Sequence, residues 1–295
     1  MPEIKFGWIA PVMGAEKTGW VPIVMNQQET ILPVVAQHFD SVWIYDHLYG
    51  LIDPVDPWLE CWTTLTWLAA RFPTLHVGSI VLGLGYRNPA LVAKMAATLQ
   101  TLSGGRLVLG IGAGWREDEY RAFGYPFPPA AVRRRQLDEA LEIIRRMWSE
   151  AQPSFQGEYF GIQDAYCRPQ PPPPPIMIGS TGAAILPLIA QRADWWDVWF
   201  WTASAISAEA YRPKRDALDR AAAAIGRDPA SIPRSISSTG CRLPRDSAQS
   251  QQWLDLLRPF VDLGVTRFLF DFGNPRSAEP ILRFAEEVIA PLNKG

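Results

Sequence analysis

The sequence is poor in the residues that staple chains or ligate metals. Three cysteines, Cys61, Cys167 and Cys241, occur in 295 residues, far apart and with no C-x-x-C among them. That spacing excludes a disulfide framework, and the three histidines, His38, His47 and His76, form no H-x-x-x-H, so no metal centre is expected. An excess of one charge is also missing: 28 Lys and Arg face 30 Asp and Glu, a net charge of -2. No nucleic-acid partner is expected, because gripping a phosphate backbone needs a basic face. Long apolar runs are absent too. No stretch approaches the roughly 18 uninterrupted apolar residues of a membrane span, and "MPEIKFGWIAPVMGAEK" lacks the basic segment and apolar run of a secretory signal. The expectation is a cytoplasmic protein without membrane contact.

What is present is material for a large core: 48% of the residues are hydrophobic. Short apolar β-rich runs alternate with longer amphipathic stretches, the pattern of repeated βα units around a parallel sheet. Eight strands are predicted near Ile4 to Ile9, Ser41 to Tyr45, Leu75 to Leu82, Leu107 to Gly112, Ile176 to Ile178, Trp196 to Trp201, Ile232 to Thr239 and Thr266 to Phe270. The clearest helices are "NPALVAKMAATLQTL", with Asn88 as N-cap and Pro89 at the first helical position, "VRRRQLDEALEIIRRMWSE" and "SAEPILRFAEEVIAPL". Eight units predict a single α/β domain over residues 1–295, a (β/α)8 TIM barrel rather than an open sheet. Residues 151–175 break the alternation. They read as an insertion before strand 5, a hairpin followed by a stiff connector of five consecutive prolines, Pro171 to Pro175.

Barrels of this kind bind ligands at the C-terminal ends of their strands. After strand 2 come Asp46 and His47. Histidine's ordinary pKa lies nearest neutrality, so His47 is the candidate acid or base, set against a merely hydrogen-bonded structural role. After strand 4 comes "GIGAGW", with glycines at 110, 112 and 114 but Trp115 where a dinucleotide fingerprint needs its third glycine. After strand 5, Gly179, Ser180, Thr181 and Gly182 form "GSTG" ahead of a helix, which is either a phosphate cradle or an ordinary capped helix. In "DWWDVWFW", Trp195, Trp199 and Trp201 alternate with Trp196, Val198 and Phe200, and Trp199 and Trp201 stand where they would wall a substrate pocket.

The run from "LECWTTLTWLAARFPTLHVGSIVLGLGYRNPALVAKMAATLQTLSGGRLVLGIGAGWREDEYRAFGYPF" through "FQGEYFGIQDAYCRPQPPPPPIMIGSTG" to "ADWWD" strongly resembles the bacterial-luciferase-like oxidoreductases. It is most similar to their branch dependent on coenzyme F420, a 5-deazaflavin. The resemblance implies the same barrel and hydride transfer to or from a small organic substrate, with His47 handling the accompanying proton. It further implies a ring held against a bulged third strand with a non-prolyl cis peptide within Ser79 to Leu82. Asp46, Ile80, Val81 and Gly83 then contact the ring, Gly112, Ala113, Gly114 and Trp115 back the ring and its ribityl chain, and Gly179 to Gly182 carry the phosphate. A homodimer is implied as well. The rival readings are an FMN-dependent monooxygenase, served by a reductase partner, and a non-catalytic flavin-storage protein. Four departures from the family pattern stand out: Trp115 replaces the glutamate of the deazaflavin sugar-phosphate dehydrogenases, Ser180 a glycine, Gln100 an aspartate and Asp197 an asparagine.

Overall fold

The computed structural model describes residues 2–13, 23–51, 53–180 and 182–294. Eight strands, β1 (Lys5–Ile9), β2 (Ser41–Ile44), β3 (His76–Ser79), β4 (Leu107–Gly112), β5 (Ile176–Gly179), β6 (Trp195–Phe200), β7 (Arg234–Ser238) and β8 (Arg267–Phe270), pair in parallel. β8 returns to β1, and β3 pairs with β4, so the sheet closes into a barrel. The helices that matter for the site are α1 (Cys61–Arg71), α2 (Pro89–Leu102), α3 (Glu117–Ala122), α4 (Ala130–Ser149) and α5 (Leu186–Arg192). Asn88 caps α2 by accepting from the amides of Ala90 and Leu91, as expected for its place before Pro89.

Alternation along the strands divides the apolar residues into two cores. Outward residues such as Trp8, Val42, Trp196 and Phe268 pack beneath the helices. Inward residues, among them Ile9, Trp43, Val108, Met177, Trp195 and Leu269, fill the barrel itself. Trp43 plugs the lower end because its two neighbours have no side chain there. A Cβ on Gly7 would lie 2.5 Å from its indole, and one on Gly78 2.3 Å. Trp195 meets Trp43 edge-on at 5.3 Å, and Arg267 covers Trp195 at 4.7 Å. The base is therefore packed, and the barrel opens only at the C-terminal ends of its strands.

Two elements depart from the reading of periodicity. The third strand, predicted as continuous over Leu75 to Leu82, stops at Ser79 and resumes as a two-residue strand, Leu82–Gly83, against the end of β4. A cis peptide joins Ile80 to Val81 between the two pieces, within the bulge at Ser79 to Leu82 that the family resemblance implied. The predicted C-terminal helix is continuous only through a π turn, Ala285–Ile289, which links Glu279–Phe284 to Ala290–Lys294. The insertion does contain a small antiparallel hairpin, Phe155–Gln156 with Gly161–Ile162. Its turn is held by Glu139 of α4, which accepts from the amides of Glu158, Tyr159 and Phe160.

Candidate active site

A cavity of about 310 Å3 opens at the C-terminal ends of β2 to β6, within the size range of small-molecule sites. Among the predicted site residues, Asp46, His47, Ile80, Val81, Gly83, Gly112, Ala113, Gly114, Trp115, Gly179, Ser180, Trp199 and Trp201 line it. Gly182 does not, and Thr181 lies outside the described residues. Tyr45, Leu51, Tyr86, Arg116, Ile185 and Asp197 also line the cavity without having been singled out as site residues.

His47 is half of a pair whose other member sequence reasoning missed. Its Nδ1 lies 2.9 Å from Oε2 of Glu119, whose side chain is fully buried at the start of α3. The same oxygen accepts from Tyr86 Oη at 2.5 Å, and Oε1 accepts from the amides of Leu48 and Tyr49. Burial works to raise the Glu119 pKa, but the donors from His47, Tyr86 and Leu48 outweigh it and hold the carboxyl below its ordinary value. An ionised Glu119 can only accept, so Nδ1 of His47 carries hydrogen and Nε2 is left to act toward the cavity. Trp58 and Trp115 meet the imidazole edge-on, each at 5.6 Å, and restrict its rotation. The signal was in the sequence: Glu119 is one of three acids that follow Trp115 in "GWREDEY", at the start of α3.

Asp46 touches the cavity through its backbone, since its side chain is wholly buried. The carboxylate is spent on protein partners. Arg87 binds it bidentately at 2.8 and 2.9 Å, and the Gly83 amide donates at 2.8 Å. Arg87 also reaches Glu60 at 2.6 Å, and Glu60 in turn caps α1 through the amides of Trp62 and Thr63. Asp46 thus ties the end of β2 to the resumed third strand and to α1, rather than offering its carboxylate to a ring.

The glycines of the mouth make room chiefly for protein groups. A Cβ on Gly112 would sit 2.9 Å from Val81 Cγ2, and one on Gly179 2.8 Å from Val81 Cγ1, so the Val81 side chain lies across both. Gly114 has φ +77°, and a Cβ there would fall 2.1 Å from Tyr120 Oη. Gly83 pairs in register with Gly112, Ile111 with Ile178, and Gly179 with Asp197. One row across the cavity wall therefore runs Gly83, Gly112, Gly179, Asp197. It presents backbone over three strands and a carboxyl on the fourth.

At the strand-5 end, a short 3-10 turn, Ala183–Ile185, separates "GSTG" from α5. Ser180 Oγ accepts from the Gly182 amide at 3.4 Å, and the Ser180 amide donates to Asp197 O at 3.2 Å. Further out, Trp115 and Trp201 are both more than half exposed and meet edge-on at 5.4 Å, with Trp199 6.2 Å from Trp201. Among the described residues Arg116 is the only Lys or Arg on the cavity lining, and its guanidinium binds the carbonyls of Tyr49 and Gly50 and Asp118. No group of residues suited to a metal occurs among those described.

Residues 37–283 match the sequence profile of the family described as luciferase-like monooxygenase. The chain belongs to that family. Among relatives of this luciferase-like chain, the F420-dependent glucose-6-phosphate dehydrogenase of Kineococcus radiotolerans is 37% identical over 163 residues, 54% of this chain and 47% of that protein. The chain thus matches about half the length of that relative. A solved F420-dependent secondary alcohol dehydrogenase, in complex with an F420-acetone adduct, superposes with a TM-score of 0.79 at 19% identity, covering 98% of this chain and 99% of that one. A monooxygenase from Streptomyces bottropensis superposes with a TM-score of 0.74, also at 19% identity, over 98% of this chain and 100% of that one. The luciferase-like barrel therefore serves both chemistries, and at these identities the likeness speaks for the fold. No helix among the described residues is long and apolar enough to cross a membrane.

Proposed function

We propose that this chain is a coenzyme F420-dependent oxidoreductase that moves hydride between the deazaflavin and a small alcohol or carbonyl substrate. The observation that carries the reading is the pair His47 and Glu119, a buried carboxylate orienting an imidazole whose second nitrogen acts at the cavity. Ile80 and Val81, with the Val81 side chain lying across Gly112 and Gly179, give an apolar floor that fits the face of a planar ring. When bound, the deazaflavin supplies the hydride chemistry at its C5 position. The chain supplies the proton chemistry. In alcohol oxidation, Nε2 of His47 takes the hydroxyl proton as hydride leaves the carbon; in carbonyl reduction, the imidazolium returns it. Glu119 holds Nδ1–H throughout and compensates the charge that His47 gains.

The names of the curated relatives support F420 over FMN. Among the described residues the outer wall is apolar, with Leu51, Trp115 and Trp201, and the Arg116 guanidinium is tied down by the carbonyls of Tyr49 and Gly50 and by Asp118. That wall suits an uncharged substrate with an apolar flank, and together with Trp115 in place of the glutamate it argues against a sugar phosphate. Fluorescence titration of the purified protein with F420 and with FMN tests the cofactor. F420 is expected to bind the more tightly. FMN binding at least about ten times tighter, a difference near 1.4 kcal/mol, with substrate-dependent oxygen consumption, establishes the two-component monooxygenase instead, with its need for a reductase partner.

A further inference from the structure

Asp197 stands inside the barrel on β6, at the end of the glycine row on the cavity wall. Its carboxyl is buried and has two partners: Ser235 Oγ lies 2.5 Å from Oδ1 and Ser237 Oγ 2.5 Å from Oδ2. Trp195 Nε1 donates to Ser235 Oγ at 2.8 Å, which leaves the serine hydrogen to point at Asp197. Among the described residues no cation is bonded to this carboxyl. The other ionisable groups inside the barrel are engaged elsewhere. Tyr45 and Thr239 both donate to Asp271, His47 is held by Glu119, and Arg267 lies over Trp195 toward the closed base. On the helix side of β6 and β7, Tyr211 feels the Asp197 charge, and Arg234 is paired with Asp219.

Two neutral hydroxyls are a thin set of donors for a buried anion. A planar, largely apolar group seated on Val81 over the glycine row replaces the polar content of the cavity that Asp197 lines and raises the cost of the charge. We propose that Asp197 is the acid against which a bound ring is placed, and that ring binding draws a proton from solvent onto its carboxyl. Burial already pushes the carboxyl up to about 7 against the lowering effect of the two serines, so the change falls in the neutral range. Once protonated, Oδ1 still accepts from Ser235, while the new hydrogen on Oδ2 has the Ser237 hydroxyl oxygen as its acceptor. The inference rests on the ring-binding function proposed above, but not on which ring is bound.

Calorimetric titration with F420, in buffers of different ionisation enthalpy, counts the protons. At pH 8 the wild type is expected to take up about one more proton per ring bound than Asp197→Asn, by linkage from a free-state value near neutrality. The cofactor's own protons cancel in that difference. Equal counts in the two proteins overturn the proposal. FMN is the second probe: if it alone binds, the F420 reading fails while the proton count on Asp197 is still decided. Should Asp197→Asn not fold, infrared spectra of the wild type carry the test. The carbonyl band of a protonated carboxyl must grow when the ring is added at pH 8, and an unchanged band overturns the proposal.

Discussion

Glu119 and Asp197 are both buried carboxyls, one behind His47 and the other on the cavity wall, and their pKa values are shifted in opposite directions. Four donors converge on Glu119, two of them backbone amides that cannot turn away, and the carboxyl stays ionised against its burial. Asp197 has two serine hydroxyls and rises to about 7. Burial is common to both, so the number and kind of donors decides which carboxyl keeps its charge. The division suits the proposed chemistry: the fixed anion orients the histidine that exchanges protons with substrate, and the marginal one faces the row where a ring fits.

The largest expected effect breaks the Glu119 side at the imidazole. His47→Asn keeps size and some hydrogen bonding but removes the proton-transfer group, so turnover is expected to fall by about 10² to 10⁴. Cofactor affinity should change by less than about 1 kcal/mol. A joint collapse of binding and turnover assigns His47 a structural role and favours the storage protein. Glu119→Gln comes next. Its amide turns a donor toward groups that are themselves donors, and leaving one of His47, Tyr86 or Leu48 unpaired costs about 1 to 3 kcal/mol of stability. Urea unfolding measures that loss, and turnover should fall at least about tenfold as the imidazole loses its orientation.

The third prediction uses pH to separate the two carboxyls. A folded-state value raised above the ordinary carboxyl value of about 3.9 means that Asp197 contributes stability fully below about pH 4 and loses it as pH rises through about 7. Glu119, lowered by folding, contributes above its ordinary value and loses that contribution as the solution is acidified. Thermal unfolding of Asp197→Asn should therefore show a shallower decline between about pH 4 and 7 than the wild type, with Asp46 and Asp271, also raised by burial, supplying the rest, while keeping the acid limb. An unchanged profile removes the distinction between the two groups. The smallest effect is at Gly182, where an added Cβ meets nothing within 4 Å. Gly182→Leu should leave stability within about 0.5 kcal/mol. If "GSTG" holds a phosphate, the same change weakens F420 by at least about tenfold, whereas riboflavin is little affected.

These contrasts also mark what was legible in the sequence. The barrel was, because period-2 apolar strands and capped helices are local patterns, and Asn88 behaves as its neighbours dictate. The break in the third strand was not visible in periodicity, since Ile80 and Val81 are as apolar as the strand on either side. The glycines announced a close approach but not its object. Val81 and Tyr120 occupy the space that a ligand seemed to need, and nothing local to Gly112, Gly114 or Gly179 names them. Glu119 sat among three acids in the first turn of α3, and only the fold shows which of them faces inward. Asp197 was visible as a departure, but its serines lie some forty residues further along the chain, on β7, and its environment could not be read from the strand that carries it.

The central claim is hydride transfer between substrate carbon and deazaflavin, and isotopic labelling tests it most directly. The protein is incubated without a reductase, with oxidised F420 and an alcohol deuterated at the carbinol carbon. The account predicts that reduced F420 carries that deuterium on its ring, that the alcohol becomes a carbonyl compound, and that no oxygen is consumed. Oxygen incorporation into product with reduced FMN, and no deuterium transfer to F420, would contradict it.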